Sequence, residues 1–333
     1  MRLSTTSHLA PLLGLALLCG PWLAGPAHAA ELTPVRINSF PNAKALPLQV
    51  GIDKGFFARR GLKAELELTE SSKAQRDGLA AGRFQVAQSA IDNAVAMIED
   101  AGEDIVILSG GDSGMNEFFV QAGINSFADL RGRVVLVDAP DTAYALQVKK
   151  LLAQHGVGAG DYTAKPVGAG VYRLKGMMDD KSNAAAILNL PFTVQAAEAG
   201  MKSLGRTVDL LGPYQAAGAF ARRAWAEQNR GTVERYLAAY VESLRWLRDP
   251  ANRAEAIALL VREQKLAPET AQRTYDQLVD PGFGFTPDVK FDMQGFRNMM
   301  ALRAEVQGKP SVAPERYLDF SYYDQAMRLV GAQ

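Results

Sequence analysis

The chain has 333 residues, with Lys+Arg and Asp+Glu equal at 36 each, and is 48% hydrophobic and 22% charged. That length suits two lobes better than one small core, and the charge balance leaves no basic excess for nucleic acid or an anionic membrane surface. One cysteine and three histidines rule out a disulfide framework, a thiolate metal site and a histidine-rich metal site.

The first thirty residues read as an export signal. Arg2 carries the only charged side chain before Glu31, and the apolar run from Leu9 to Leu18 is broken only by Pro11 and Gly14. Such a run has the length of a signal-peptide core and falls short of the roughly 20 residues that span a bilayer. Ala27-His28-Ala29 supplies the small-x-small pattern of a cleavage site. Cys19 opens the alternative of a lipid anchor, although Leu18 stands where a lipobox needs a small residue. Cleavage after Ala29 removes Cys19, His8 and His28, so a Ser-His-Asp triad would have to use His155, and no Gly-x-Ser-x-Gly elbow accompanies it. His155 precedes Gly156 at the end of a helical pattern, where an imidazole complements the helix dipole. No later apolar run approaches spanning length, so membrane contact is expected through a partner.

From Val35 the chain alternates strands and helices. Strands are predicted at 35–40, 64–68, 84–88 and 104–108, with helices at 45–57, 72–82 and 91–101. The pattern repeats with strands at 133–137, 162–167 and 184–188 and helices at 142–155, 171–180 and 191–199. Residues 203–224 read as strand-like runs around Gly212-Pro213, and helices follow at 233–247, 253–263, 268–278, 291–306 and 320–330. Alternation of this kind predicts an α/β fold with mainly parallel sheets covered on both faces. Gly110 to Gly114 is the expected first crossing between lobes, and Leu211 to Gln215 the second. The division is therefore 1–29 signal, 30–112 plus 215–333 for lobe 1, and 113–214 for lobe 2. Two crossings make a hinge.

Several segments carry a resemblance. Gly51-Ile52-Asp53-Lys54-Gly55-Phe56-Phe57 followed by Arg60-Gly61-Leu62, Phe127-Ala128-Asp129-Leu130-Arg131-Gly132-Arg133-Val134, and Thr232 to Tyr240 resemble the opening, second-lobe entry and long C-terminal helix of SsuA/TauA-like solute-binding proteins. Gly55 and Gly61 permit tight turns, Phe56 and Phe57 anchor them, and Asp129-Leu130 delivers Val134 into its strand. The resemblance implies a two-lobed type II periplasmic-binding fold with the ligand in the cleft. It also implies a monomer in the periplasm, without a cofactor, that hands a small organic solute to an ABC permease in the inner membrane. A periplasmic ligand sensor is the alternative with the same capture physics. Thiamine-pyrimidine synthases resemble the same family, but they depend on histidine and a cysteine-rich segment, and the mature chain has one histidine and no cysteine.

Ligands in open α/β sheets sit beyond the carboxyl ends of strands. The loops there are Ser39 to Lys44, Glu70-Ser71-Ser72, Ser89 to Asp92 and Asp138 to Thr142, joined by Tyr144, Asn189 and Tyr214. The candidate ligand-binding residues are Phe40, Asn42, Ser71, Ser72, Ser89, Asp92, Asp141, Thr142, Tyr144, Asn189 and Tyr214. Ser72, Asp92 and Asp141 equally fit helix N-caps, and Phe40 and Tyr214 equally fit core aromatics. Sulfonate-binding proteins present small hydroxyl and glycine residues at the second-lobe helix N-terminus, where this chain has Asp138 and Asp141. A carboxylate there competes with an anionic ligand for the same donors, whereas Lys44 and Lys73 favour one. A sulfonate-like ligand and a nitrogen heterocycle or amine both remain open.

Overall fold

Short apolar strands feeding amphipathic helices close here into two separate five-stranded sheets. The computed structural model describes residues 1–4, 6, 31–309 and 313–331. The expected signal segment with Cys19 and the Ala29 cleavage site lies outside the described residues. From Leu32 onward the chain forms one compact unit.

The first sheet is built from β1 (Thr33–Ser39), β2 (Leu62–Leu68), β3 (Val86–Ala90) and β4 (Ile105–Ile107). The chain then crosses to a second sheet of β5 (Asn116–Val120), β6 (Val134–Val137), β7 (Thr163–Pro166), β8 (Asn183–Asn189) and β9 (Lys202–Arg206). It returns through β10 (Ala217–Arg222), giving orders β2-β1-β3-β10-β4 and β7-β6-β8-β5-β9. In both sheets the strand that arrives by a crossing, β10 or β5, runs antiparallel to its neighbours, while the rest pair in parallel. All seven residues of β8 are buried, as a central strand with both faces covered requires. Edge strand β2 instead alternates covered positions, Leu62, Ala64 and Leu66, with exposed ones and ends exposed at Leu68.

Helices cover the sheets. In the first block they are α1 (Leu46–Asp53), α2 (Phe56–Arg59), α3 (Ser72–Ala80) and α4 (Ile91–Ala101). The second block has α5 (Ala143–Gln154), α6 (Gly170–Asp179), α7 (Phe192–Glu198) and α8 (Thr207–Leu211). The C-terminal extension comprises α9 (Arg223–Gln228), α10 (Arg230–Arg248), α11 (Arg253–Gln264), α12 (Pro268–Leu278), α13 (Met293–Gln307) and α14 (Ser321–Gly331). Helix α10 is the spine of the first lobe, with Tyr236, Leu237, Tyr240, Val241 and Leu244 buried against α1, α2 and α14. Phe57 stacks on Tyr236 at 5.8 Å, so the Phe56-Phe57 pair does fix the turn that Gly55 begins at φ 70°.

Some expectations need correction. The single helix expected at 45–57 is α1 and α2, separated because Gly55 takes the left-handed region and stops the first ladder. Strand β5 is absent from the sequence expectations, because its polar start, Asn116-Glu117, hides the Phe118-Phe119-Val120 run. The stretch 203–224 holds helix α8 between its strands. Asp129 accepts from the backbone N–H groups of Asn125 and Ser126, forming the turn that leads into β6.

Candidate functional site

Between the sheets lies a cavity enclosing about 670 Å³ of non-atom space, its mouth included. The first sheet contributes Ser39 and Phe40 beyond β1, Gln88, Ser89 and Ala90 at the end of β3, and Ala217 at the start of β10. The second contributes Asp138 beyond β6, Thr142, Ala143 and Tyr144 at the start of α5, Ala169, Gly170 and Arg173 around the start of α6, and Asn189 at the end of β8. Asn42, Lys44, Ser72, Asp112, Tyr240 and Phe285 complete the wall. Carboxyl ends of parallel strands and helix N-termini thus converge here, as the sheet topology dictates.

Of the expected ligand residues, Phe40, Asn42, Ser72, Ser89, Thr142, Tyr144 and Asn189 line this cavity. Ser71, Asp92, Asp141 and Tyr214 do not, and each has another partner. Ser71 rather than Ser72 caps α3, its hydroxyl accepting from Ala74 N–H at 3.1 Å. Asp92 is 1% exposed and paired with Arg303 of α13 at 3.1 Å, and burial raises its carboxyl although Arg303 opposes the shift. Asp141 pairs with Arg76 at 3.1 Å and is not a cap. Tyr214 is buried in a cluster with Phe296 and Met299, where α13 packs over the second crossing, and burial with Asp92 nearby raises its hydroxyl.

Lys44 reaches the first crossing, meeting Asp112 at 2.8 Å and the Gly114 carbonyl at 3.0 Å. Burial works against its charge, yet Asp112 holds its pKa above the ordinary lysine value. Arg173 is 1% exposed and donates through Nε to the Ile187 carbonyl at 3.2 Å and through Nη1 to the Gly168 carbonyl at 2.8 Å. Its guanidinium lies over the Tyr144 ring at 5.0 Å, and the Tyr144 hydroxyl accepts from Asn189 Nδ2 at 3.0 Å. Burial lowers the Arg173 pKa, with Asp138 and Tyr144 opposing. Ser39, Gln88 and Tyr236 form a floor of hydrogen bonds, Ser39 Oγ donating to the Gln88 carbonyl and the Tyr236 hydroxyl to Gln88 Oε1.

Asp112, Arg173, Gln88, Tyr240 and Phe285 were missed as lining residues. Arg173 left a readable signal: Gly170, Arg173, Leu174 and Met177 form the buried stripe of α6, and an arginine on such a stripe is out of place unless a polar site lies beneath it. Gly170 is required there, since an added Cβ would come within 2.8 Å of the Phe192 ring. Tyr240 and Phe285 come from the C-terminal extension, and no local pattern points them inward. Among the described residues, no group of three or more His, Cys, Asp and Glu side chains is arranged to hold a metal ion.

The family model described as NMT1/THI5 like matches residues 42–253. Curated protein sequences give no significant match. A Bordetella bronchiseptica RB50 protein of solved structure is 21% identical, with a TM-score of 0.77 over 90% of this chain and 99% of its own. The alkanesulfonate-binding protein SsuA from Xanthomonas axonopodis pv. citri, bound to MOPS, is 16% identical with a TM-score of 0.73, covering 88% of this chain and 100% of that one. The ligand-binding component of an ABC-type import system from Staphylococcus aureus, with zinc bound, is 14% identical with a TM-score of 0.73, covering 88% and 99%. These likenesses show the two-lobed type II periplasmic-binding fold.

Proposed function

The chain belongs to the NMT1/THI5-like family, and we propose that it is the exported solute-binding component of an ABC importer, capturing a small organic molecule by hinge closure. The observation that carries this reading is the cavity itself, whose wall is shared between two sheets joined by crossings near Asp112 and Gln215. A site split in this way is completed only when both halves meet, which couples occupancy to closure, the hinge motion by which periplasmic binding proteins enclose their ligands. We divide the lobes as 30–112 with 215–333, and 113–214. The S. aureus structure, described as part of an ABC-type import system, supports a membrane permease as the partner. No helix among the described residues is long and apolar enough to cross a membrane. The export signal in residues 1–29 supports a periplasmic location, with Cys19 as the alternative anchor.

The fold alone does not separate capture from catalysis. Residue chemistry favours capture: His155, the histidine left after cleavage, stacks on Phe127 with centroids 4.4 Å apart, and its Nδ1 lies 2.8 Å from the Leu151 carbonyl. It stands on the far end of α5 from the cavity, where no substrate would meet it.

The test is native purification of the mature protein followed by mass spectrometry of what it carries, then thermal shift with the identified compound. A ligand at about 100 times its Kd is expected to stabilise the protein by about 2.7 kcal/mol. Turnover of the compound into product would replace capture by catalysis.

A further inference from the structure

Two acceptors on the cavity wall have no hydrogen-bond partner, Asp138 Oδ1 and Asn189 Oδ1. Asp138 is 6% exposed and Asn189 2% exposed, so neither is satisfied by bulk water. An unmet buried acceptor costs free energy on the scale of a whole hydrogen bond, and here the unmet groups belong to one wall of one cavity. Asn189 is held by its Nδ2 on the Tyr144 hydroxyl, which fixes its carbonyl oxygen as the free end. A ligand donating N–H to both oxygens would remove both penalties.

Asp138 has a second role. Its other oxygen, Oδ2, accepts the Ser72 backbone N–H at 3.2 Å. That donor belongs to the N-terminus of α3, in the opposite lobe, and is the kind of group an anionic ligand would seek. The protein supplies its own carboxylate to it. The cavity's cations are likewise engaged before any ligand arrives. Lys44 sits on Asp112 at 2.8 Å, and Arg173 spends its Nε hydrogen and one Nη1 hydrogen on carbonyls, leaving Nη2 for a ligand acceptor. Lys44 and Arg173 against Asp112 and Asp138 give the lining no formal excess charge, so net charge favours neither sign, and the unpaired Asp138 oxygen decides: it attracts an N–H donor and repels an oxyanion.

Resting on the solute-capture reading above, we propose that Asp138 sets the ligand class. The cavity takes an uncharged or cationic ligand with at least two N–H donors and one acceptor, such as an amide, amidine or amino-substituted ring, and turns away sulfonates and other oxyanions. Because Oδ2 latches α3 while Oδ1 receives the ligand, the same residue ties ligand choice to lobe closure.

Thermal shift and calorimetry on the mature wild-type protein test this with benzamidine, cytosine and nicotinamide against methanesulfonate, benzenesulfonate and nitrate. Stabilisation is expected from the first set and absent from the second. Asp138→Asn is expected to weaken the best N–H probe by about tenfold or more and to admit the sulfonates. Should that variant fold poorly, Asn189→Ala leaves the latch to Ser72 intact and is expected to weaken the same probe by a similar factor. Wild-type binding of a sulfonate or nitrate would overturn the assignment and leave capture standing, as would unchanged affinity in both variants. No response to any probe, with nothing carried through purification, would overturn both.

Discussion

Arg303 shows how a residue outside the cavity can govern stability. Its side chain is 2% exposed and is surrounded by Asp92 at 3.1 Å, Glu99 at 3.5 Å and Asp100. Removing one partner of a buried pair leaves the other charge without compensation, which costs roughly 3–5 kcal/mol. Arg303→Leu is expected to lose about that much in urea unfolding at pH 7, with ligand affinity unchanged. The pH dependence follows from Asp92, whose pKa burial already raises and would raise further without the guanidinium. A raised acid binds its proton more tightly in the folded state, so the deficit should shrink as pH falls through that raised value. A deficit that grows on acidification would mean that the Asp92 pKa falls, rather than rises, when the guanidinium is removed. Asp129 has the opposite sign: the Asn125 N–H, then the Ser126 groups, hold its pKa below the ordinary value. Its contribution is present above the unfolded pKa and is lost as pH falls through the folded one.

At the scale of elements, the second crossing is fastened through α13. Gln215 donates through Nε2 to the Ala217 carbonyl at 2.7 Å and accepts the Asp292 N–H through Oε1 at 2.7 Å, while Asn298 Nδ2 donates to the Pro213 carbonyl at 2.9 Å. Gly295 lies against this crossing, where an added Cβ would stand 2.6 Å from Gln215 N and 2.7 Å from the Tyr214 carbonyl carbon. Backbone cannot yield cheaply, so Gly295→Ala is expected to cost about 1–3 kcal/mol by overpacking. Tryptophan fluorescence during denaturation measures that cost, and a neutral result would show that α13 can slide off the hinge. Most of the element pattern was legible in the sequence, with β5, α8 and the break at Gly55 as the exceptions. Helix 268–278 falls where periodicity puts it, and the strand-helix alternation led to two sheets, because apolar period and turn glycines are local signals. The loops beyond β1, β3, β6 and β8 were legible too, since strand ends locate them. What local pattern could not supply was partnership across hundreds of residues. Asp92 reads as a cap until Arg303 arrives from α13, Tyr214 as a ligand aromatic until Phe296 packs beside it, and Tyr240 as spine until its lobe folds around the cavity.

For the whole molecule, contacts of two kinds bridge the cleft. Ala169 N–H donates to the Glu70 carbonyl at 2.9 Å and Ser72 N–H to Asp138, both inside the cleft. Nearer the surface, Arg76 meets Asp141, which is 45% exposed, and Arg273 meets Glu198. Exposed pairs contribute about 0–1 kcal/mol and weaken as salt screens them. Asp141 thus bridges the cleft through Arg76. If it touches Arg76 and no ligand, Asp141→Ala removes one closing contact and shifts the open-closed balance by less than about 1 kcal/mol, and affinity drops only as far as the closed fraction does. Calorimetry of the variant with the ligand carried through purification is expected to show about a fivefold loss at most at roughly 20 mM salt, disappearing near about 1 M, where the wild-type pair is itself screened. Small-angle scattering should show the ligand-free variant with a larger radius of gyration than wild type, and equal radii once ligand is bound. A loss above about tenfold that persists at high salt would instead place Asp141 on the ligand.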